Sequence, residues 1–259
     1  MKLFKFVFLL SSIYMTSCIG EGDNYFTLEG ANIGQYIIAH RGNWGQHGYP
    51  QNSIASLKDA LRLDIYGVEF DVRQTKDSVL VINHDPTYQT IDISKSTYKE
   101  LSEYNLSNGE ILPTLDDFLT VYKSVKTNAK LIVEIKSCDL KLLLSTIGKY
   151  NLYEKIEFIS FNREYCSALV EMGYGDKTTY LSGVITSEIS PDDVSKAGYS
   201  GVSYYSEILN NHKVWISEAK ELGLRIHVWT IDDLYQIKNY ADMGVVVTTN
   251  VAWRCVPSS

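Results

Sequence analysis

Apolar residues in this chain gather into short β-branched runs separated by longer stretches of helical spacing. The runs fall at residues 36–40, 66–72, 130–136, 155–160, 178–182, 201–204, 224–229 and 245–249. Between them, Ile54, Leu57 and Leu61 share a face behind Asn52 as a possible cap. Thr114 to Asp117 and Thr230 to Asp233 have the form of capping boxes, the second followed by Leu234, Ile237 and Ala241 on one stripe. Ser190-Pro191-Asp192-Asp193 orders a cap, a first-turn proline and acids as a helix start favours. Trp215, Ala219 and Leu222 form a further stripe that stops at Gly223. Eight strand-like runs with helices between them predict a parallel sheet, and their number predicts closure into a single-domain α/β barrel of the (β/α)8 TIM type. Residues 86–113 are too long for a simple connection and are expected as an insertion after the second strand that serves as a lid or rim element. The chain ends soon after the eighth run, so the last helix is vestigial or supplied by residues 24–35.

Composition narrows the picture. A chain of 259 residues with 45% hydrophobic content can bury one sizeable core, and its net charge of −7, with no basic stripe, excludes a nucleic-acid footprint. The N-terminus stands apart: Lys2 and Lys5 precede a short apolar run and then Met15-Thr16-Ser17-Cys18. A basic segment, an apolar stretch too short to span a bilayer and small residues before a break describe a secretory signal. Cys18 after those residues resembles a bacterial lipobox, with Met15 where leucine is usual. The expected organisation is a signal peptide over 1–17, a lipidated N-terminus and tether over 18–30, and the barrel over 31–259, in an exported, membrane-anchored lipoprotein. The other cysteines, Cys138, Cys166 and Cys255, lack metal spacing and are expected as free buried thiols.

The chemistry concentrates between His40 and Asp85. Successive residues of a strand point to opposite faces, so Glu69 and Asp71 project together, and two acids on a covered strand need a partner. Glu134 and Lys136 repeat this i, i+2 arrangement at the end of the third run, the end at which barrels place their active sites. Carboxylates converging on one point repel unless a cation neutralises them, and all-oxygen ligands select a hard ion, Mg²⁺ or Ca²⁺. Of the five histidines, His40 and His84 each end an apolar run and precede a charged residue, as suits proton transfer near neutral pH. His227 lies mid-strand and is equally readable as a core residue or a rim group; His47 and His212 are expected on the surface or at helix starts. Arg41 and Lys136 beside a divalent cation suit a phosphate group.

From about Tyr36 to Asn250 these residues resemble the glycerophosphodiester phosphodiesterase family, a branch of the barrel-shaped phospholipase-C-like phosphodiesterases. The likeness rests on His40-Arg41-Gly42, Glu69-x-Asp71-Val72 with Thr75-Lys76-Asp77, His84-Asp85-Pro86-Thr87, Leu112-Pro113-Thr114-Leu115, Val133-Glu134-Ile135-Lys136, Ser160-Phe161 and Val228-Trp229-Thr230. It implies that Glu69, Asp71 and Glu134 hold a divalent cation, that His40 and His84 are the general acid and base, and that Arg41 and Lys136 grip the phosphate. Trp229 would line the substrate pocket, and Tyr204 or Tyr205 would pack against the glycerol or the leaving alcohol. The implied reaction is metal-dependent hydrolysis of a small-molecule glycerophosphodiester to glycerol 3-phosphate and an alcohol. Lysophospholipids, phosphoinositides and polymeric glycerophosphate are alternative substrates on the same barrel, and a catalytically inactive glycerophosphate-binding lipoprotein is the alternative from another class. Two positions depart from the family pattern: Gln51 replaces a usual glutamate beside Asn52-Ser53, and Ser78 stands where a turn glycine is common.

Overall fold

The computed structural model describes residues 33–183 and 188–256; the expected signal peptide, Cys18 and tether lie outside the described residues. Strand β1 (Ile37–Ala39) leads through the loop of residues 40–53 to α1 (Ile54–Ala60) and β2 (Gly67–Gln74). The chain then forms β3 (Leu80–Ile82), the two-stranded β4 (Thr87–Tyr88) and β5 (Ile91–Asp92), and the short helix α2 (Tyr98–Leu101). From there strands and helices alternate: α3 (Leu115–Ser124), β6 (Lys130–Ser137), α4 (Leu140–Lys149), β7 (Ile156–Ser160), α5 (Arg163–Glu171), β8 (Thr178–Ser182) and α6 (Pro191–Lys196). They continue with β9 (Gly201–Tyr205), α7 (Ser206–Asn211), α8 (Trp215–Glu221), β10 (Arg225–Trp229), α9 (Leu234–Asp242) and β11 (Val246–Thr249). The parallel strands run in the order β1-β11-β10-β9-β8-β7-β6-β2, and the β1–β2 pairing closes the ring, so the eight expected runs form a closed (β/α)8 barrel. Among the described residues β11 is followed by a single helical turn at Ala252–Arg254, and the alternative helix over residues 24–35 lies largely outside the described residues.

Strand parity divides the side chains into two layers. Val68, Phe70 and Val72 face outward into the core shared with the helices, where Phe70 meets Phe118 of α3 at 5.0 Å between ring centroids. Inside the barrel Ile38, Ile132, Ile159, Leu181 and Val246 make a separate apolar layer. The end of the barrel at which the strands start is filled by charged and polar side chains instead. The buried Glu157 carboxylate accepts from Tyr66 Oη and Thr179 Oγ1, both at 2.9 Å, and lies 3.3 Å from Arg225 Nε and 3.5 Å from His227 Nε2. Burial pushes the Glu157 pKa up, but His227, Arg225 and Lys130 around it more than offset this and hold it below the usual carboxylate range.

Helix starts mostly follow the sequence signals, with two corrections. Ser53, not Asn52, caps α1 by accepting from Ser56 N, and Asn52 is released for other work. Helix α9 is capped by Asp233 alone, through Gln236 N, so no capping box opens at Thr230. Thr114 caps α3 reciprocally with Asp117, and Ser190 caps α6 ahead of Pro191, as expected. Leu222 turns out to be exposed at the end of α8, while Ile216 packs inward. The insertion has a small core of its own, with Val81, Tyr88, Ile93, Leu101 and Leu112 buried together. It is pinned to the barrel by Glu110, whose carboxylate accepts from the first amides of α1, Ile54 N at 2.8 Å and Ala55 N at 3.0 Å. Cys138, Cys166 and Cys255 are free and buried, and burial pushes each thiol up to about 12.

Candidate active site

The site sits where the strands end. His40 and Arg41 follow β1, and Arg41 (φ 56°), Gly42 (φ 84°) and Asn52 (φ 58°) all occupy the left-handed region. For Arg41 and Asn52 this backbone carries strain, which surrounding bonds must hold in place. Gly42 tolerates no side chain, because a Cβ would lie 2.4 Å from Ser56 Oγ. The Arg41 N–H donates to Glu69 Oε2 at 2.8 Å, its Nε lies 3.4 Å from Asp71 Oδ2, and its Nη1 donates to Gln51 Oε1 at 2.7 Å. Glutamine at position 51 thus still accepts from the guanidinium, and the opposing charge comes from Asp71. Asn52 N–H donates to Arg41 O, and its Nδ2 donates to Asp71 Oδ2 at 2.7 Å.

Parity and register bring the three acids together as expected. Asp71 pairs with Glu134 across β2 and β6, and ligand oxygens of Glu69, Asp71 and Glu134 lie within 4.8 Å of one another. All three are buried. Glu69 Oε1 has no hydrogen-bond partner, while Asp71 Oδ1 and Glu134 Oε1 face only the Lys136 ammonium. Burial, together with the charges of Asp71 and Glu134, raises the Glu69 pKa well above the usual carboxylate range. Burial and Asp71 bring Glu134 to about 7. Burial acts upward on Asp71 too, but Lys136, Arg41 and the Asn52 hydrogen bond outweigh it and leave Asp71 lowered. Lys136 is raised, since Glu134 and Asp71 overcome its desolvation. Three buried carboxylates carrying an unpartnered oxygen, with a charge conflict that side chains only partly relieve, fit a hard divalent cation.

Both expected proton-transfer histidines border this cluster. His40 Nε2 lies 3.9 Å from Glu69 Oε2, and burial with the nearby Arg41 charge lowers its pKa to about 4. His84 lies just beyond β3; Arg73 donates from Nε and Nη2 to its main-chain oxygen, and its Nδ1 is 2.8 Å from Asp85 Oδ1. Burial and Lys136 lower the His84 pKa as well. Phe161, Tyr205 and Trp229 form an aromatic wall on the other side, Trp229 meeting Phe161 at 5.4 Å and Tyr205 at 5.3 Å, with its Nε1 donating to Ser203 O.

Tyr204 is a correction. It is fully buried on the outer side of the sheet, packs at a tilt against Trp215 of α8 at 5.3 Å between ring centroids and donates to Ile189 O. Parity decides this: on β9 the inward positions are Ser203 and Tyr205, so Tyr205 joins the wall and Tyr204 the outer core. His227 is buried below the rim, where it lines the floor of the cleft and leans on Glu157, and burial holds its pKa at about 4. His47 and His212 lie away from the site, as expected. Sequence reasoning missed Asn250 and Asp232, which flank His40, and the grip of Asn52 on Asp71. The available signal was Asn52 itself, an asparagine directly before a serine cap, where its tolerance of positive φ frees the side chain for a long-range bond.

A glycerophosphoryl diester phosphodiesterase family model matches residues 40–250. The chain belongs to this family. A glycerophosphodiester phosphodiesterase of Caldanaerobacter subterraneus is 26% identical over 228 residues, 81% of this chain and 90% of that protein. Among solved structures, a glycerophosphodiester phosphodiesterase from Parabacteroides distasonis superposes with a TM-score of 0.79 at 37% identity, covering 85% of this chain and 94% of that one. The Oleispira antarctica phosphodiesterase, solved in complex with the product sn-glycerol-3-phosphate, shares the fold with a TM-score of 0.68 at 24% identity over 83% of this chain and 92% of that one. The family's members are phosphoric diester hydrolases, and this chain is an enzyme of that class. Within the family frame, His40, Arg41, Glu69, Asp71, His84, Glu134 and Lys136 converge at one mouth of the barrel.

Proposed function

We propose that this chain hydrolyses small glycerophosphodiesters to glycerol 3-phosphate and an alcohol, with Ca²⁺ or Mg²⁺ held by Glu69, Asp71 and Glu134. The observation that carries the reading is the buried acid cluster with its unpartnered Glu69 oxygen, set beside two fixed cations and two histidines. A bound divalent cation supplies charge stabilisation to the phosphoryl oxygens. Arg41 contributes a planar fork and Lys136 a point charge, so a phosphate can be held from two directions. His40 and His84 divide the proton transfers, one taking a proton from the nucleophile and the other giving one to the leaving alkoxide. The aromatic wall of Phe161, Trp229 and Tyr205 offers apolar surface to the carbon parts of the substrate. The product complex of the Oleispira enzyme, a protein of the same fold, supports glycerol 3-phosphate as the released half.

Hydrolysis measured across glycerophosphocholine, glycerophosphoethanolamine, glycerophosphoinositol and a lysophospholipid, with and without chelator, tests the reading. Activity on the first three that chelation abolishes and Ca²⁺ or Mg²⁺ restores is the expected result. His84→Ala and His40→Ala should each lose about 10²- to 10⁴-fold in kcat; near-normal turnover by either would remove that histidine from the mechanism. The lipobox-like Met15-Thr16-Ser17-Cys18 supports export and anchoring through Cys18. Cys18→Ser should release the protein from the membrane fraction of an expressing bacterium, and unchanged fractionation would refute the anchor.

A further inference from the structure

We propose that Asn250 and Asp232 form a positioning relay that fixes His40 as its Nδ1-protonated tautomer, leaving Nε2 as the ring's proton acceptor on the side of the acid cluster. This rests on the reading of His40 as a proton-transfer group and adds two positioning residues to it.

The register makes the contact. Ala39 of β1 is paired with Thr249 of β11, and His40 N–H continues the ladder by donating to Thr249 O at 3.0 Å. The next residues along the two parallel strands, His40 and Asn250, therefore stand side by side, and His40 Nδ1 meets Asn250 Oδ1 at 2.8 Å. The roles in that bond follow from what lies behind it. Asn250 Nδ2 donates to Asp232 Oδ2 at 2.8 Å, and Asn250 N–H donates to Asp232 Oδ1 at 2.8 Å. Thr249 Oγ1 donates to the same Oδ1 at 3.0 Å. A carboxylate accepts and does not donate, so it holds the NH₂ end of the amide toward itself and turns the amide oxygen toward the imidazole. An amide oxygen has no proton to give, so Nδ1 must carry one. Nε2 is then the unprotonated nitrogen, 3.9 Å from Glu69 Oε2.

His84 lacks such an intermediary. Its Nδ1 meets the Asp85 carboxylate directly, so its orienting partner is a charge, where that of His40 is a neutral amide. A carboxylate partner supports the imidazolium; an amide oxygen selects a tautomer without adding charge. The two rings thus have different supports for different halves of proton transfer.

The test is ¹⁵N-histidine NMR of the full chain without metal, with the His40 signals identified by their loss in His40→Gln. Wild type should show a protonated Nδ1 and an unprotonated Nε2. Asn250→Ala should shift the ring toward the Nε2-protonated form and lower kcat by about 10²- to 10⁴-fold with KM little changed, the loss expected when a base is in the wrong tautomer. Asp232→Asn, which removes the orienting carboxylate while leaving residue 250 intact, should give mixed tautomers. A wild-type ring protonated at Nε2, or a tautomer unchanged in both Asn250→Ala and Asp232→Asn, would overturn the relay. The NMR pattern is independent of turnover, so it stands or falls separately from the loss of activity in His40→Ala.

Discussion

Glutamine at position 134 should stabilise the metal-free protein and destabilise the metal-loaded one relative to wild type. The Glu134 carboxyl sits at about 7 in the folded chain against 4.5 for an ordinary glutamate. An acid whose pKa is raised by folding holds its proton in the native state after the unfolded chain has lost it. Its contribution to stability is therefore neutral below the unfolded pKa, falls as pH rises through the window from 4.5 to about 7, and stays lost above it. At 1.36 kcal/mol per pKa unit the whole window is worth roughly 3 kcal/mol. His40 and His227, both near 4, act in the opposite sense over part of the same range, so the total stability curve mixes the effects. The difference between Glu134→Gln and wild type removes the histidine terms and reads the Glu134 carboxylate together with its coupling to Glu69 and Lys136. In chelator, that difference should grow in favour of the variant from pH 4.5 to 7, reaching roughly 3 kcal/mol, or about 6–12 °C in Tm for a domain of this size. Adding Ca²⁺ or Mg²⁺ at about 1,000 times Kd should raise wild type by about 4.1 kcal/mol and the variant by much less, reversing the order. Urea denaturation at a series of pH values, with and without metal, measures both. A difference that does not change with pH, or a wild type indifferent to divalent cations, would refute the reasoning.

Three further outcomes follow from particular contacts. Gly42→Ala places a Cβ 2.4 Å from Ser56 Oγ on a backbone at φ 84°, so it should cost about 2 kcal/mol in thermal unfolding and reduce turnover through displacement of Arg41. Tyr204→Phe removes the buried donor to Ile189 O and should cost about 1 kcal/mol in urea midpoint while leaving kcat and KM unchanged, which a pocket tyrosine would not do. Glu157→Gln leaves Arg225 and Lys130 without their counter-charge and should lower stability by roughly 3 kcal/mol, read by calorimetry, with no direct change at the acid cluster.

The barrel and the acid cluster were legible because both depend on short-range rules. Eight apolar runs separated by helical stripes define the ring, and the i, i+2 spacing of Glu69 with Asp71 and of Glu134 with Lys136 is enough to put those side chains inside it. Tyr204 was misplaced although the same rule governs it. Choosing between Tyr204 and Tyr205 needs the parity of β9, and a run ending in two tyrosines conceals it. Asn250 and Asp232 were invisible for another reason: their meaning comes from a pairing between the first and last strands and a loop 18 residues away, which no local pattern encodes. The cap at α1 moved by one residue because Asn52 and Ser53 can both cap, and the long-range bond to Asp71 decided which one did.

The end of the barrel filled by charged side chains also bears on events at the other end. With Glu157, Tyr66, Lys130 and Arg225 occupying the bottom of the ring, the described residues leave the acid cluster open at the mouth lined by His40, His84, Phe161 and Trp229. In the proposed reaction, ion, water, substrate and both products would share that opening. In the reaction proposed above, a phosphodiester held by Arg41 and Lys136 would stand across it, so the cation would enter first and exchange only after the product had left.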